Sequence, residues 1–280
     1  MRIFNTIALL AASMIFGAAS LASAQTAPSR VVSLNLCTDQ MALLLAKQDQ
    51  LIAVTTLASD PQSSAYPDLA STLPAHNDSA ESIIRLNPDL ILAGTWTTRA
   101  TVQLLQKLGH QVEIFAPATS LDQARANLAR MGALLGQDET ARALLHKFDA
   151  RLDALTSSPA RTRPSAVIYQ ARGYISGTNS LPGDLLRLAG MDNIAQRRGL
   201  SHGGSLPIEA LIFDNPDLIL IAPPQKGHAN ATELLRHPAL TKASHVKTLP
   251  NGADLTCETP RLLDALEKLV TMRQNWEAQQ

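Results

Sequence analysis

Glu81-Ser-Ile-Ile-Arg-Leu-Asn-Pro-Asp-Leu-Ile-Leu92 returns 128 residues later as Glu209-Ala-Leu-Ile-Phe-Asp-Asn-Pro-Asp-Leu-Ile-Leu220, with eight of the twelve positions identical. An internal repeat constrains a fold more than any local propensity does, and a spacing this long is far outside the period of a stacked solenoid. It predicts two similar lobes in one chain. Within each copy, Ile83 and Ile84, or Leu211 and Ile212, supply the apolar side of a short helix. Pro88 or Pro216 stops that helix, because the residue before a proline is pushed out of the right-handed helical region. Asp-Leu-Ile-Leu then reads as a short strand buried on both faces of a parallel sheet.

The rest of the chain extends this pattern. Strands are expected at Arg30–Asn35, Leu51–Thr55, Val112–Phe115, Ala166–Tyr169 and Val246–Leu249. Helices are expected at Thr38–Lys47, Thr98–Leu108 and Leu185–Ala189, and from Pro260 onward. A β–α alternation with short connections predicts an α/β fold with parallel sheets. Between Leu121 and Leu155 no strand-like run occurs. Leu121, Ala124, Leu128, Met131 and Leu135 keep helical spacing up to Gly136, and a second helix opens at Asp138. The expected organisation is therefore an N-terminal lobe at 25–119, linking helices at 120–158 and a C-terminal lobe at 159–280.

Residues 1–24 read as an export signal. Arg2 precedes an uncharged run from Ile7 to Ala19, and Ala22-Ser23-Ala24 fits a small-residue cleavage site. That run is shorter than the roughly 20 residues that span a bilayer as a helix. An exported, soluble protein is expected. With 24 basic and 24 acidic residues and no basic run, nucleic acid and anionic membranes are poor partners. Cys37 and Cys257 are the only cysteines. In an oxidising compartment they could form a disulfide or remain two buried thiols, and both readings stay open.

In parallel α/β sheets, ligands collect at the loops beyond the carboxyl ends of the strands. Those loops carry Asn35, Cys37, Asp39, Trp96, Tyr169, Arg172, Tyr174 and His228. Aromatic residues make up only 4% of the chain, yet Trp96, Tyr169 and Tyr174 all fall at strand ends. An apolar small-molecule site with a few polar groups needs such residues. No nucleophile elbow, phosphate-cradling loop or His-Glu-x-x-His motif is present. The histidines are scattered, with His202 and His228 the best placed for a ligand. No catalytic residue, resident metal or cofactor is expected. Glu81 and Glu209 begin the two repeated helices, where an acidic side chain stabilises the first turn.

The exported chain, its opening Val31-Val-Ser-Leu34 strand, the Glu-x-Ile-Ile-x-x-Asn-Pro-Asp-Leu-Ile-Leu motif, Leu185-Leu-Arg-Leu-Ala-Gly-Met-Asp-Asn-Ile194 and Thr259-Pro-Arg-Leu-Leu-Asp264 together carry a resemblance. In order and spacing they resemble the periplasmic substrate-binding proteins of ABC importers for cobalamin and ferric siderophores. The resemblance runs through essentially the whole mature chain. It implies two Rossmann-like lobes joined by a long bridging α-helix, with a metal chelate held in the cleft between them. A cobalamin or other corrinoid is the first expectation and an Fe(III)-siderophore the next. Haem, a bare metal ion, or a chelatase-like enzyme on the same scaffold are the alternatives. The resemblance also implies that Glu81 and Glu209, one per lobe, dock on an ABC permease at the inner membrane, and that the protein works as a periplasmic monomer.

Overall fold

A β–α alternation in each half of the chain builds two sheets, and two helices run between them. The computed structural model describes residues 26–221, 230–241, 245–249 and 252–280. The expected export signal and His228 lie outside the described residues. The N-terminal lobe comprises β1 (Val31–Ser33), α1 (Leu36–Leu45), β2 (Leu51–Thr55), α2 (Pro67–Ala70), β3 (Ala75–His76), α3 (Ala80–Arg85), β4 (Leu90–Gly94), α4 (Arg99–Lys107) and β5 (Val112–Phe115). All five strands are parallel, in the order β3-β2-β1-β4-β5. That order reverses direction between β1 and β4, which is where an open α/β sheet leaves its crevice.

Two helices follow, α5 (Leu121–Leu135) and α6 (Asp138–Thr156). The bridge is this helix pair, with the second helix opening at Asp138 as expected. Gly136 caps α5 in the left-handed region (φ 65°), a conformation that costs glycine nothing, and the chain reverses there. The buried stripe of α5 is shared between the lobes. Leu128, Met131 and Leu135 enter the N-terminal core, while Leu121 and Ala124 enter the C-terminal one. In α6, Ala141 belongs to the first core and Phe148 to the second. Each helix is thus anchored by packing at both ends. Truncating a fully buried leucine such as Leu128 to alanine would cost about 2–5 kcal/mol.

The C-terminal lobe contains β6 (Ser165–Tyr169), β7 (Tyr174–Ile175), α7 (Leu181–Leu188), β8 (Asp192–Asn193), β9 (Gly204–Ser205), α8 (Ile208–Asp214), β10 (Leu218–Ile221), α9 (Pro238–Thr241), β11 (Val246–Thr248) and α10 (Arg261–Glu277). Its sheet is mixed rather than wholly parallel. Strands β11, β10, β6 and β8 run parallel, whereas β7 and β9 pair antiparallel. The reversal lies at Arg172 and Gly173, both at positive φ (57° and 71°), which turn the chain back so that Ile175 pairs with Tyr169. Helix α10 closes this lobe by burying Leu262, Leu263, Leu266 and Leu269.

The repeat explains how each sheet is assembled. Asn87 and Asn215 occupy equivalent positions and both take left-handed φ values, 46° and 42°. Asparagine tolerates that region better than other residues with a Cβ, so it ends the helix just before the proline. Two residues on, the repeated aspartate ties its strand to the first strand of its own lobe. The Asp89 carboxylate accepts the Ser29 N–H at 2.7 Å and the Arg30 N–H at 2.9 Å, beside the β1–β4 pairing. The Asp217 carboxylate accepts the Ser165 N–H at 2.8 Å and its hydroxyl at 2.6 Å, beside the β6–β10 pairing. Partial burial pushes the Asp89 carboxyl upward, but the hydrogen bonds outweigh it and hold the group below its usual range.

Candidate functional site

Helix α1 was expected to start at Thr38 but starts at Leu36, because Asn35 is its N-cap. The Asn35 side chain accepts the Cys37 N–H at 3.0 Å. A Cβ on Gly94 would come within 2.7 Å of the Asn35 Cγ, so glycine at the end of β4 makes room for this cap. The next turn of chain carries Trp96. Thr95 N–H donates to the Phe115 carbonyl at 3.1 Å, and the Thr97 hydroxyl donates to the Leu34 carbonyl at 3.3 Å. Pinned on both sides, this loop projects Trp96 outward with 80% of its surface exposed.

Two cavities meet at that tryptophan. The smaller, about 210 Å³, lies beyond the carboxyl ends of β1, β2 and β4 and is lined by Asn35, Leu36, Thr55–Leu57 and Trp96. It occupies the crevice where the strand order reverses. The larger, about 570 Å³, spans both lobes. Trp96 and Pro117–Thr119 come from the N-terminal lobe and its exit to α5. Gln170, Tyr174, Asn179 and His202 are among those facing them from the C-terminal lobe. Among its described lining residues there is no Lys, Arg, Asp or Glu, so polar contacts there come from amides, hydroxyls, the imidazole and the backbone. Apolar walls with a few converging polar groups suit a small molecule of substantial size.

The expected site residues separate into three groups. Asn35, Trp96 and Tyr174 line the cavities. Tyr174 is partly exposed, and its hydroxyl donates to the His202 carbonyl at 3.3 Å. A Cβ on Gly203 would lie 2.3 Å from that hydroxyl, so the glycine leaves the space Tyr174 uses. Asp39 and Tyr169 do not reach the cleft. Asp39 is fully buried beneath it, bound to Thr55. Burial pushes its carboxyl up to about 7, against hydrogen bonds from Thr55 and Ser33 that favour the charged form. Tyr169 is fully buried in the C-terminal core, and its hydroxyl donates to the Leu206 carbonyl at 3.0 Å. Arg172 is exposed on the β6–β7 turn and lines neither cavity.

Cys37 is in a disulfide with Cys257, which joins the first turn of α1 to the C-terminal lobe with 4.9 Å between the Cα atoms. Glu81 and Glu209 are exposed in the first turns of α3 and α8, and no ion pair is formed by either among the described residues. Among the described residues no group of three or more His, Cys, Asp or Glu side chains could hold a metal ion. The residues missed from sequence are Pro117–Thr119 and Asn179–Pro182. The first group also follows a strand end, the signal that singled out Trp96.

The periplasmic binding protein family model matches residues 31–252. Among curated proteins, a cobalamin-binding protein of Halobacterium salinarum is 27% identical over 197 residues, covering 69% of this chain and 53% of its own length. A vitamin B12-binding protein of Yersinia pestis is 26% identical over 174 residues, covering 60% of each chain. This chain therefore spans little more than half the length of these relatives. Two solved structures share the fold. The periplasmic heme-binding protein RhuT from Roseiflexus sp. RS-1, in apo form, has a TM-score of 0.72 at 22% identity, covering 89% of this chain and 98% of that one. The periplasmic vitamin B12 binding protein BtuF of Vibrio cholerae has a TM-score of 0.70 at 22% identity, with the same coverage.

Proposed function

Because the chain belongs to the periplasmic binding protein family, we propose that it captures a metal chelate between its lobes and delivers it to an ABC permease. A corrinoid is the first choice and a ferric siderophore the second. The observation that carries this reading is the cavity spanning both lobes, with an exposed tryptophan on one wall and no charged side chain among its described lining residues. A corrinoid presents a broad face for Trp96 to stack against and a fringe of amides for Gln170 and Asn179. Ferric catecholates carry net negative charge and would meet no described cation in this lining. The relatives described as binding cobalamin and vitamin B12 support the same choice.

Haem is the alternative reading, favoured by Tyr174 and His202 together on the C-terminal wall, since a phenol oxygen or an imidazole nitrogen can ligate iron. In either reading the chelate is cargo and no catalytic step is assigned. Residues 1–24 would direct export, and the protein would work in the periplasm. Glu81 and Glu209 would present one carboxylate per lobe to basic pockets of the permease, setting register and orientation on docking.

Thermal melting with cyanocobalamin, haemin and a ferric siderophore tests the proposal. A ligand that binds only the folded chain raises its stability by mass action, by about 2.7 kcal/mol at a hundredfold excess over Kd. The corrinoid is expected to give the largest upward shift. If none of the three moves the melting curve at saturating concentration, capture of a metal chelate is wrong. A shift with haemin alone, accompanied by a Soret band, selects the haem reading.

A further inference from the structure

The segment from Cys257 to Arg261 contains part of a motif used above for its resemblance alone, and its contacts give it a physical role. Of three consecutive buried residues, the first two bond to parts of the chain outside the C-terminal lobe. Cys257 is bonded to Cys37 on α1 of the N-terminal lobe. The Glu258 carboxylate accepts the Ala118 N–H at 2.7 Å and the Asn127 side-chain amide at 3.3 Å, where the N-terminal lobe passes into α5. Tyr66, a residue of the N-terminal lobe, lies near Thr259, and burial pushes its phenol's pKa upward. Arg261 then braces the segment from within its own lobe through Asp254 at 3.2 Å and Asp264 at 2.8 Å.

The position of this cluster matters as much as its number of contacts. Asn35 and Leu36, next to Cys37, line the smaller cavity, and Thr256, next to Cys257, lines the larger one. The disulfide thus sits beside residues that line both cavities. A hinge opening there would have to lengthen a covalent bond and break the hydrogen bonds to Glu258. Neither the bridging helices nor the cavity lining imposes that restraint.

We propose that Cys257–Thr259 is an interlobe clasp, bolted by the Cys37–Cys257 disulfide, which sets the width of the cleft and makes it responsive to a thiol reductant. Reduction by a dithiol breaks the one S–S bond. Two electrons and two protons pass to the protein, leaving a thiol on Cys37 and another on Cys257, while the reductant closes to its own disulfide. Cys37 is the half-buried partner and Cys257 the buried one, so the attacking thiolate approaches from the Cys37 side. With the bolt released, the hydrogen bonds of Glu258 remain at that point.

The test is a distance distribution between lobes on the ligand-free chain, which makes it independent of what the cleft binds. Probes attached through azido amino acids at the exposed Leu108 and Phe213 avoid cysteine chemistry. Oxidised protein is expected to give a narrow distribution. Protein treated with dithiothreitol, with two free thiols verified by mass, is expected to give a broader one shifted to longer distance, as is the Cys37→Ser, Cys257→Ser double variant. Identical distributions before and after verified reduction would overturn the clasp. If the reduced chain loses its far-UV dichroism, Glu258→Ala with the disulfide intact decides the matter, since it removes the acceptor of the Ala118 N–H. Faster amide exchange at Ala118 and Thr259, with β4 unchanged, supports the clasp, and unchanged exchange there overturns it.

Discussion

The Thr55 hydroxyl donates a 2.5 Å hydrogen bond to the Asp39 carboxylate beneath the floor of the cleft, with the Thr55 N–H a further 3.3–3.4 Å from its two oxygens. Asp39 thereby holds the carboxyl end of β2 against the first turns of α1. It does so from a fully buried position, where a charge is costly. Burial outweighs the donors, and the carboxyl is pushed up to about 7.

A folded-state pKa above the unfolded one means that the folded chain binds the extra proton. The resulting stability is fully present below the unfolded value, 3.8, and is lost as pH rises through about 7. At about 1.4 kcal/mol for each unit of separation, the loss is on the order of 4 kcal/mol. Asp39→Asn keeps an acceptor for Thr55 without the charge. It is expected to melt higher than the parent at pH 8 and to flatten the dependence between pH 5 and 8. Melting curves over that range check this, and parallel profiles for parent and variant would count against it.

Asn87 and Asn215 share a backbone conformation, so the two copies of the repeat should answer alike to the same change. Asn→Ala at either site is expected to lose about 1 kcal/mol, since alanine pays the left-handed penalty that asparagine partly escapes. Asn→Gly is expected to be neutral or slightly stabilising. Urea denaturation of the four single variants measures this. A loss confined to one lobe would show that the repeated asparagines are not equivalent caps.

Trp96 makes its contribution outside the core. With 80% of its surface exposed, Trp96→Ala should leave ligand-free stability within about 0.5 kcal/mol of the parent. If it stacks on the ligand, the same change should weaken corrinoid binding at least tenfold, about 1.4 kcal/mol. Titration calorimetry on parent and variant separates the two effects. Unchanged affinity would remove Trp96 from the site.

Glu81→Ala combined with Glu209→Ala should leave the ligand affinity unchanged and lower the melting point only slightly, because both side chains are exposed, neither lines a cavity, and each contributes only at its helix end. Uptake through the permease should fall sharply. Normal transport by the double variant would leave these glutamates with only their helix-end role.

Much of the fold was legible in the sequence because it is encoded over short stretches. The proline and asparagine stops, the apolar runs and the stripe from Leu121 to Leu135 are each complete within about a dozen residues. They determined two lobes, the longer strands of each and a helical bridge, but not the short strands β3, β7, β8 and β9. What tertiary structure alone decided is where side chains of neighbouring residues go. Asn35 and Asp39 are one helical turn apart, yet the first caps the helix at the cleft and the second is buried under it. Tyr169 and Tyr174 flank one turn, and the sheet takes the first into the core while the second faces the cavity. The Cys37–Cys257 bond joins residues 220 apart, a contact that no local pattern encodes. Strand pairing and helix rotation set these directions through contacts remote in the chain, and a repeat can announce the lobes without saying how they meet.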